Sequence, residues 1–133
     1  MTTGATGTVR LLDLSRLVSR VGRGAWTGID RVEAAYLKRL LAEDEPLFAL
    51  VRSSFGFTLF DRAGLRALAD RLFGRIPWGQ ADTLSRLFLK AHPVKRRAEA
   101  DLRRLSLGRA NRRALPSLLE DTLPGPPCWI NVG

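Results

Sequence analysis

The chain has 133 residues, enough for one domain with its own core and too few for two sizeable ones. Hydrophobic residues make up 45%, which excludes disorder throughout, and 22 Lys and Arg against 13 Asp and Glu give a net charge of +9. This excess favours an anionic partner such as nucleic acid, a phosphorylated metabolite or an acidic membrane surface. A single cysteine and a single histidine exclude an intrachain disulfide and paired-histidine zinc motifs, and we expect no metal and no cofactor.

Residues 1–8 are small and polar, so they indicate no signal peptide and we expect them to be disordered. No apolar run approaches the roughly 20 residues that a membrane-spanning helix needs. A reducing, cytoplasmic setting fits both features.

Residues 9–41 form the unit on which the rest of the prediction is built. Val9–Leu14 is a short apolar strand, and Leu17 and Val18 either extend it or begin a loop that carries Gly22, Gly24 and Gly28. A strand, a glycine loop and a helix N-terminus together present backbone N–H groups to an anion. The strict Gly-x-Gly-x-x-Gly fingerprint is absent, so an equally open alternative is that the glycines only make a flexible connection.

The helix after this loop is predicted to begin at Thr27, which with Asp30 forms a capping-box-like pair. Helical spacing predicts one buried apolar stripe, formed by Ile29, Val32, Tyr36, Leu37, Leu40 and Leu41. Glu33 falls inside this stripe, so it is either ion-paired with Arg16, Arg20 or Arg52 or directed at a ligand. Trp26 is either a hydrophobic plug or a wall for an acceptor.

The middle of the chain alternates strands and helices. Leu47–Val51 and Phe57–Phe60 are strand candidates that form a hairpin, and Asp61 caps a helix that Gly74 closes. Asp82 caps a further helix that ends at Pro93, with His92 as a residue of the helix end. Cys128 opens a last strand, 128–132, and is expected to be an inert thiol in the core.

Residues 95–113 are strongly basic, with eight cationic side chains against two acidic ones. Val94, Ala98, Leu102 and Leu105 keep helical spacing, which predicts an amphipathic basic helix over 94–113 or a partly ordered insertion. This basic segment either forms a solvated face or contacts a membrane surface. A nucleic-acid site is less favoured, because no aromatic residues alternate with the arginines. The candidate membrane or anion contacts are Lys95, Arg96, Arg97, Arg103 and Arg104.

Two stretches resemble a known family: Arg10–Leu17 followed by Thr27-Gly28-Ile29-Asp30-Arg31-Val32-Glu33, and the closing Trp129–Gly133. They are similar to the N-terminal domain of retaining glycosyltransferases of the GT-B fold, in the family 4 group, where a Gly-Ile-x-Arg-Val helix start recurs. The resemblance implies a single α/β domain over 9–133, with a Rossmann-like, mostly parallel sheet flanked by helices. It would be one half of a GT-B architecture, and 94–113 would be a basic helical insertion in it.

The resemblance also implies a function, the transfer of a sugar from a nucleotide-sugar donor to a sugar or lipid-linked acceptor, at or near the inner membrane face. The half that this chain resembles mainly binds the acceptor, and its first glycine loop lies near the donor diphosphate. The residues expected to bind donor diphosphate or acceptor are Gly24, Thr27, Gly28, Arg31 and Glu33.

The Glu-x7-Glu pair that relatives carry in their second half is absent from this sequence. We therefore expect a fragment, truncated at its C-terminal end and inactive alone, with no catalytic residue assigned. The alternative is a small basic module that binds anionic membrane or nucleic acid through residues 95–113.

Overall fold

A computed structural model describes residues 9–21, 25–53, 56–79 and 93–130, which form an α/β fold around a five-stranded mixed sheet. The strands are β1 Val9–Asp13, β2 Leu47–Ser53, β3 Gly56–Phe60, β4 Gly108–Ala110 and β5 Pro127–Ile130. The described helices are α1 Ser15–Ser19, α2 Gly28–Ala42, α3 Arg62–Leu72, α4 Pro93–Leu105 and α5 Leu115–Thr122.

The sheet has the order β4-β3-β2-β1-β5. β1 is parallel to both β2 and β5, whereas β3 is antiparallel to β2 and to β4. The predicted α/β class with flanking helices and the predicted hairpin are confirmed. The sheet is mixed rather than mostly parallel because β4, which no sequence pattern predicted, extends the hairpin by a second antiparallel pairing.

Alternating side chains of β1 face two separate cores, as the period of two along a strand requires. Leu12 and Leu14 join a core with helices α1 to α4, in which Leu37, Leu68 and Leu102 are fully buried. Val9 and Leu11 lie on the other face, where α5 covers the sheet. The two layers of helices make β1 the most completely covered strand of the parallel part.

Two predictions about local structure are corrected by the fold, and one further helix was not predicted. Leu17 and Val18 belong to neither a strand nor a loop, because they form helix α1 and are buried. Residues 115–122 form helix α5, which the sequence did not predict, with a proline in its first turn. The basic segment 94–113 is helical only to Leu105 and then enters β4, so it is part of the sheet.

The buried face of α2 is rotated from the predicted stripe. Leu37 and Leu40 are buried as expected, but Ile29 and Val32 are 53% and 57% exposed. Cys128 was expected in the core, yet it is exposed because β5 lies at the edge of the sheet. The expected N-terminal disorder of residues 1–8, the helix capped by Asp82, His92, Gly22 and Gly24 all lie outside the described residues.

Candidate functional site

The carboxyl ends of β1 and β5 define the place where an open α/β sheet binds ligands. The chain leaves β1 through α1 and α2 to reach β2 on one side, whereas β5 pairs with β1 on the other side. Ligands of such sheets bind at the carboxyl edge, where neighbouring strands connect in opposite directions. Because α2 leads back to the start of the parallel strand β2, its N-terminus lies at this edge.

Thr27 and Asp30 fix the N-terminus of α2 by the predicted capping box, which is confirmed. The Thr27 hydroxyl accepts from the Asp30 backbone N–H at 3.4 Å, and the Asp30 carboxylate accepts from the Thr27 backbone N–H at 2.8 Å. Such a pair satisfies two of the otherwise unpaired donors of a helix start. The helix therefore begins at Gly28 with its positive end held in place.

Asp30 is also the centre of an ion-pair cluster with two arginines of the preceding segment. Its fully buried carboxylate pairs with Arg16 of α1 and accepts from Arg20 Nε at 3.1 Å. The Thr27 backbone N–H, assisted by Arg16, lowers the pKa of Asp30 to about 2, against the opposing effect of burial. The cluster ties α1 to the start of α2, because all three charges lie within hydrogen-bond distance.

Glu33 lies beneath this cluster and is almost completely buried. One carboxylate oxygen is 3.9 Å from Arg16 Nη1, and the Leu17 peptide N–H is near the carboxylate, but neither oxygen makes a hydrogen bond of regular geometry within the described residues. Burial raises the pKa of Glu33, while the Leu17 peptide N–H and the Arg16 guanidinium lower it in part. Arg16 is thus the cation that pairs with Glu33, and the carboxylate does not face solvent.

Of the other predicted binding residues, the structure shows three exposed at the start of α2 and does not describe the fourth. Thr27, Gly28 and Arg31 are exposed at the start of α2, and a Cβ added to Gly28 would meet nothing within 4 Å. Gly24 lies outside the described residues. In the described part of the chain, the open surface at this site therefore consists of the first turn of α2 with Arg31 beside it, and Glu33 is buried behind it.

Trp26 packs into the core below the site, which matches the plug interpretation. Its ring meets Phe73 edge to face, with centroids 6.0 Å apart and an interplanar angle of 71°. Beside it lies a cavity of about 170 Å³. The cavity is lined by Leu17, Arg20, Val21, Trp26, Leu72, Trp78 and Val94. No local signal in the sequence brings Trp78 to Trp26.

Some of the basic side chains of α4 form hydrogen bonds with other groups of the chain. Arg97 donates to the carbonyl oxygens of Trp78 and Gly79, and Arg104 donates to buried Asp101 at 2.6 Å. Asp101 also accepts from Arg71 Nε at 3.0 Å. Arg96 and Arg103 are half-buried, and nothing is described of the Lys95 side chain. An anion contact through these five residues stays a prediction.

Among residues 9–21, 25–53, 56–79 and 93–130, no three His, Cys, Asp or Glu side chains are grouped to hold a metal ion. Over the same ranges, no helix has the length and apolar character to cross a membrane. Comparisons with known protein families, with curated proteins and with solved structures found no match for this chain.

Proposed function

We propose that this chain is the acceptor-side, N-terminal half of a retaining glycosyltransferase of the GT-B fold. The whole enzyme would transfer a sugar from a nucleotide-sugar donor to a sugar or lipid-linked acceptor. One observation carries the proposal: the capped N-terminus of α2 stands open at the carboxyl end of β1, next to the switch point with β5. The family resemblance of residues 10–17 and 27–33 supports the same assignment.

The first turn of α2 would stabilise the diphosphate that leaves the donor. The aligned peptides of a helix place partial positive charge at its N-terminus, and Gly28 lets a phosphate approach because it has no side chain. Arg31 adds a full charge beside this turn. A single preorganised donor of this kind contributes about 10²- to 10³-fold in kcat in well-studied sites. The Asp30–Arg16–Arg20 cluster would keep the turn in position.

The second domain that binds the nucleotide would supply the remaining catalytic groups, so the isolated chain is expected to be inactive. The acceptor would enter from the side of the cleft that this half provides. With a lipid-linked acceptor the enzyme would work in the cytoplasm, against the inner face of the membrane.

A nuclear magnetic resonance titration of the labelled chain with UDP, GDP and their sugar conjugates tests the proposal. We expect amide shifts in residues 27–31 at millimolar nucleotide and no sugar transfer. Gly28→Leu should abolish the shifts without unfolding the chain, because a side chain there meets open space. Ala35→Leu, at an exposed position of the same helix, is the matched control.

Two outcomes contradict this function. Shifts that Gly28→Leu leaves unchanged would remove the first turn of α2 from the site. Robust transfer by the isolated chain would show that it needs no second domain.

The second candidate function, binding of anionic membrane or nucleic acid, is favoured by the exposure of Arg109, Arg112 and Arg113. Binding to anionic vesicles or to RNA should then weaken steeply with added salt. Changing these three residues to Gln should abolish that binding. Unchanged affinity in the triple variant would exclude this segment as the contact.

A further inference from the structure

The edge strand β5 is exposed on both faces, unlike the strand beside it. In the register of the sheet, Trp129 pairs with Leu11 and Ile130 pairs with Leu12. Leu11 and Leu12 are fully buried, but Trp129 is 52% exposed and Cys128 is exposed on the opposite face. Strands of parallel sheets are normally covered on both faces. Within the described residues, β5 also has no neighbour on its outer side.

Helix α2 carries an exposed apolar flank on the same side of the fold. Ile29, Val32 and Tyr36 are 53%, 57% and 38% exposed and follow helical spacing. The opposite flank of α2 faces α3, where Lys38 and Ala42 line a groove. Since α3 lies over β2 and β3, the apolar flank is directed towards β5.

Glu43, the C-cap of α2 and seven residues after Tyr36, places this flank beside Arg10 of β1. Arg10 is the register partner of Cys128, and its guanidinium pairs with the Glu43 carboxylate. The side chains of Ile29, Val32, Tyr36, Cys128 and Ile130 therefore make one surface, called here the edge surface.

The edge surface is close to neutral in a chain of net charge +9. Arg10 pairs with Glu43 and with Glu45, and Arg39 pairs with Glu43. The four residues of β5 carry no charge. Charged side chains on an edge strand are a common protection against pairing with another strand, and β5 lacks it. An anionic partner gains nothing at this surface, whereas an apolar polypeptide does.

We propose that the edge surface is where a second copy of this chain docks, through antiparallel pairing of the two β5 strands about a two-fold axis. A two-fold axis perpendicular to the sheet brings the same patch of each copy together. The two α2 helices would then lie antiparallel on one face, with Ile29 of one copy against Tyr36 of the other and the two Val32 side chains near the axis. The same axis keeps both Cys128 thiols on that face, opposite each other.

The dimer is expected to be weak. A standard interface buries about 800 Å² on each partner, and the edge of one short strand with the five side chains of the edge surface provides less than that. The association should therefore be visible as a dependence on protein concentration.

Sedimentation velocity of the full chain under reducing conditions, from micromolar to millimolar concentration, tests the proposal. The apparent mass should rise from that of a monomer towards twice that value and then saturate. Val32→Glu should keep the chain monomeric, and Ala35→Glu, exposed on the same helix outside the edge surface, should behave as the wild type. Circular dichroism of both variants checks that α2 is intact.

A short bis-maleimide reports on the geometry, because Cys128 is the only thiol. It should link two copies of the wild type and of Ala35→Glu, but not Val32→Glu. A monomer at every concentration, a Val32→Glu variant that dimerises like the wild type, or a dimer that the reagent does not link would each overturn the proposal.

Discussion

Replacing Glu33 with leucine is expected to stabilise the fold. The Glu33 carboxylate is buried, and its two oxygens make no hydrogen bond of regular geometry within the described residues. Burying an unsatisfied polar group costs about 1–3 kcal/mol. The compensation from Arg16 is small, since the closest approach is 3.9 Å and Arg16 also pairs with Asp30. Removing Glu33 therefore leaves no buried cation without a partner.

The net gain is expected to be about 1–2 kcal/mol, because apolar replacements of buried ion pairs are neutral to stabilising by about 1–4 kcal/mol. With a urea dependence of about 1–3 kcal/mol per molar, the unfolding midpoint should rise by roughly 0.3–2 M. The measurement is urea unfolding followed by tryptophan fluorescence at neutral pH. Glu120→Leu, at an exposed position, is the control and should change the midpoint little.

The pH dependence of Glu33→Gln separates the effect of charge from that of packing. Burial raises the folded-state pKa of Glu33 above its ordinary value of 4.5, so the charged wild type is penalised when the pH lies above the folded-state pKa. Below 4.5 both states are protonated and the penalty disappears. The advantage of Glu33→Gln should therefore be present at neutral pH and vanish at low pH. A clear loss of stability in Glu33→Leu at neutral pH would refute this reasoning and make the Arg16 pair a net stabilising one.

Three further substitutions test helix capping and local packing by urea unfolding. Asp30→Asn should lower the free energy of unfolding at neutral pH. This loss relative to the wild type should shrink as the pH falls from 3.8 towards 2, because the pKa of the wild-type carboxylate is about 2. A loss that does not depend on pH would contradict this. Thr27→Ala should cost about 1 kcal/mol by removing the helix cap, and Thr27→Ser almost nothing. Gly64→Ala should cost about 1–3 kcal/mol because its Cβ would lie 2.5 Å from the Leu105 carbonyl oxygen, whereas Gly28→Ala should be neutral.

Features encoded by neighbouring residues were predictable from the sequence. The Thr27–Asp30 capping box needs residues only three positions apart, and the structure has both of its hydrogen bonds. The Asp61 cap is equally local and is present, with Asp61 accepting from the Gly64 N–H at 2.8 Å. β1 and β2 were predictable because a strand that is covered on both faces has a short, continuous apolar run, which can be recognised without knowing the neighbouring strands.

Features decided by distant packing were not predictable. The stripe on α2 looked buried because Ile29, Val32 and Tyr36 have helical spacing, but α1 and α3 determine which flank is covered, and they leave this one exposed. Asp30 was predicted only as the partner of the Thr27 cap, and its ion pairs with two arginines from before the loop had no local signal. β4 is only three residues long, and its strand exists because β3 offers an edge.

The arrangement of charges explains why the candidate site is an open surface held in position by ion pairs and not a complete binding pocket. Arg16 and Arg20 reach the first turn of α2, and both are paired with Asp30 there. A free phosphate would have to compete with that buried carboxylate for them, so the two arginines orient the turn and do not hold a ligand themselves. Binding at Gly28 then depends on peptide N–H groups, the helix dipole and Arg31, which favour an anion by only about 1–2 kcal/mol even in a favourable geometry. Tight binding of a nucleotide sugar at this turn would need further cations, which the proposed second domain would supply.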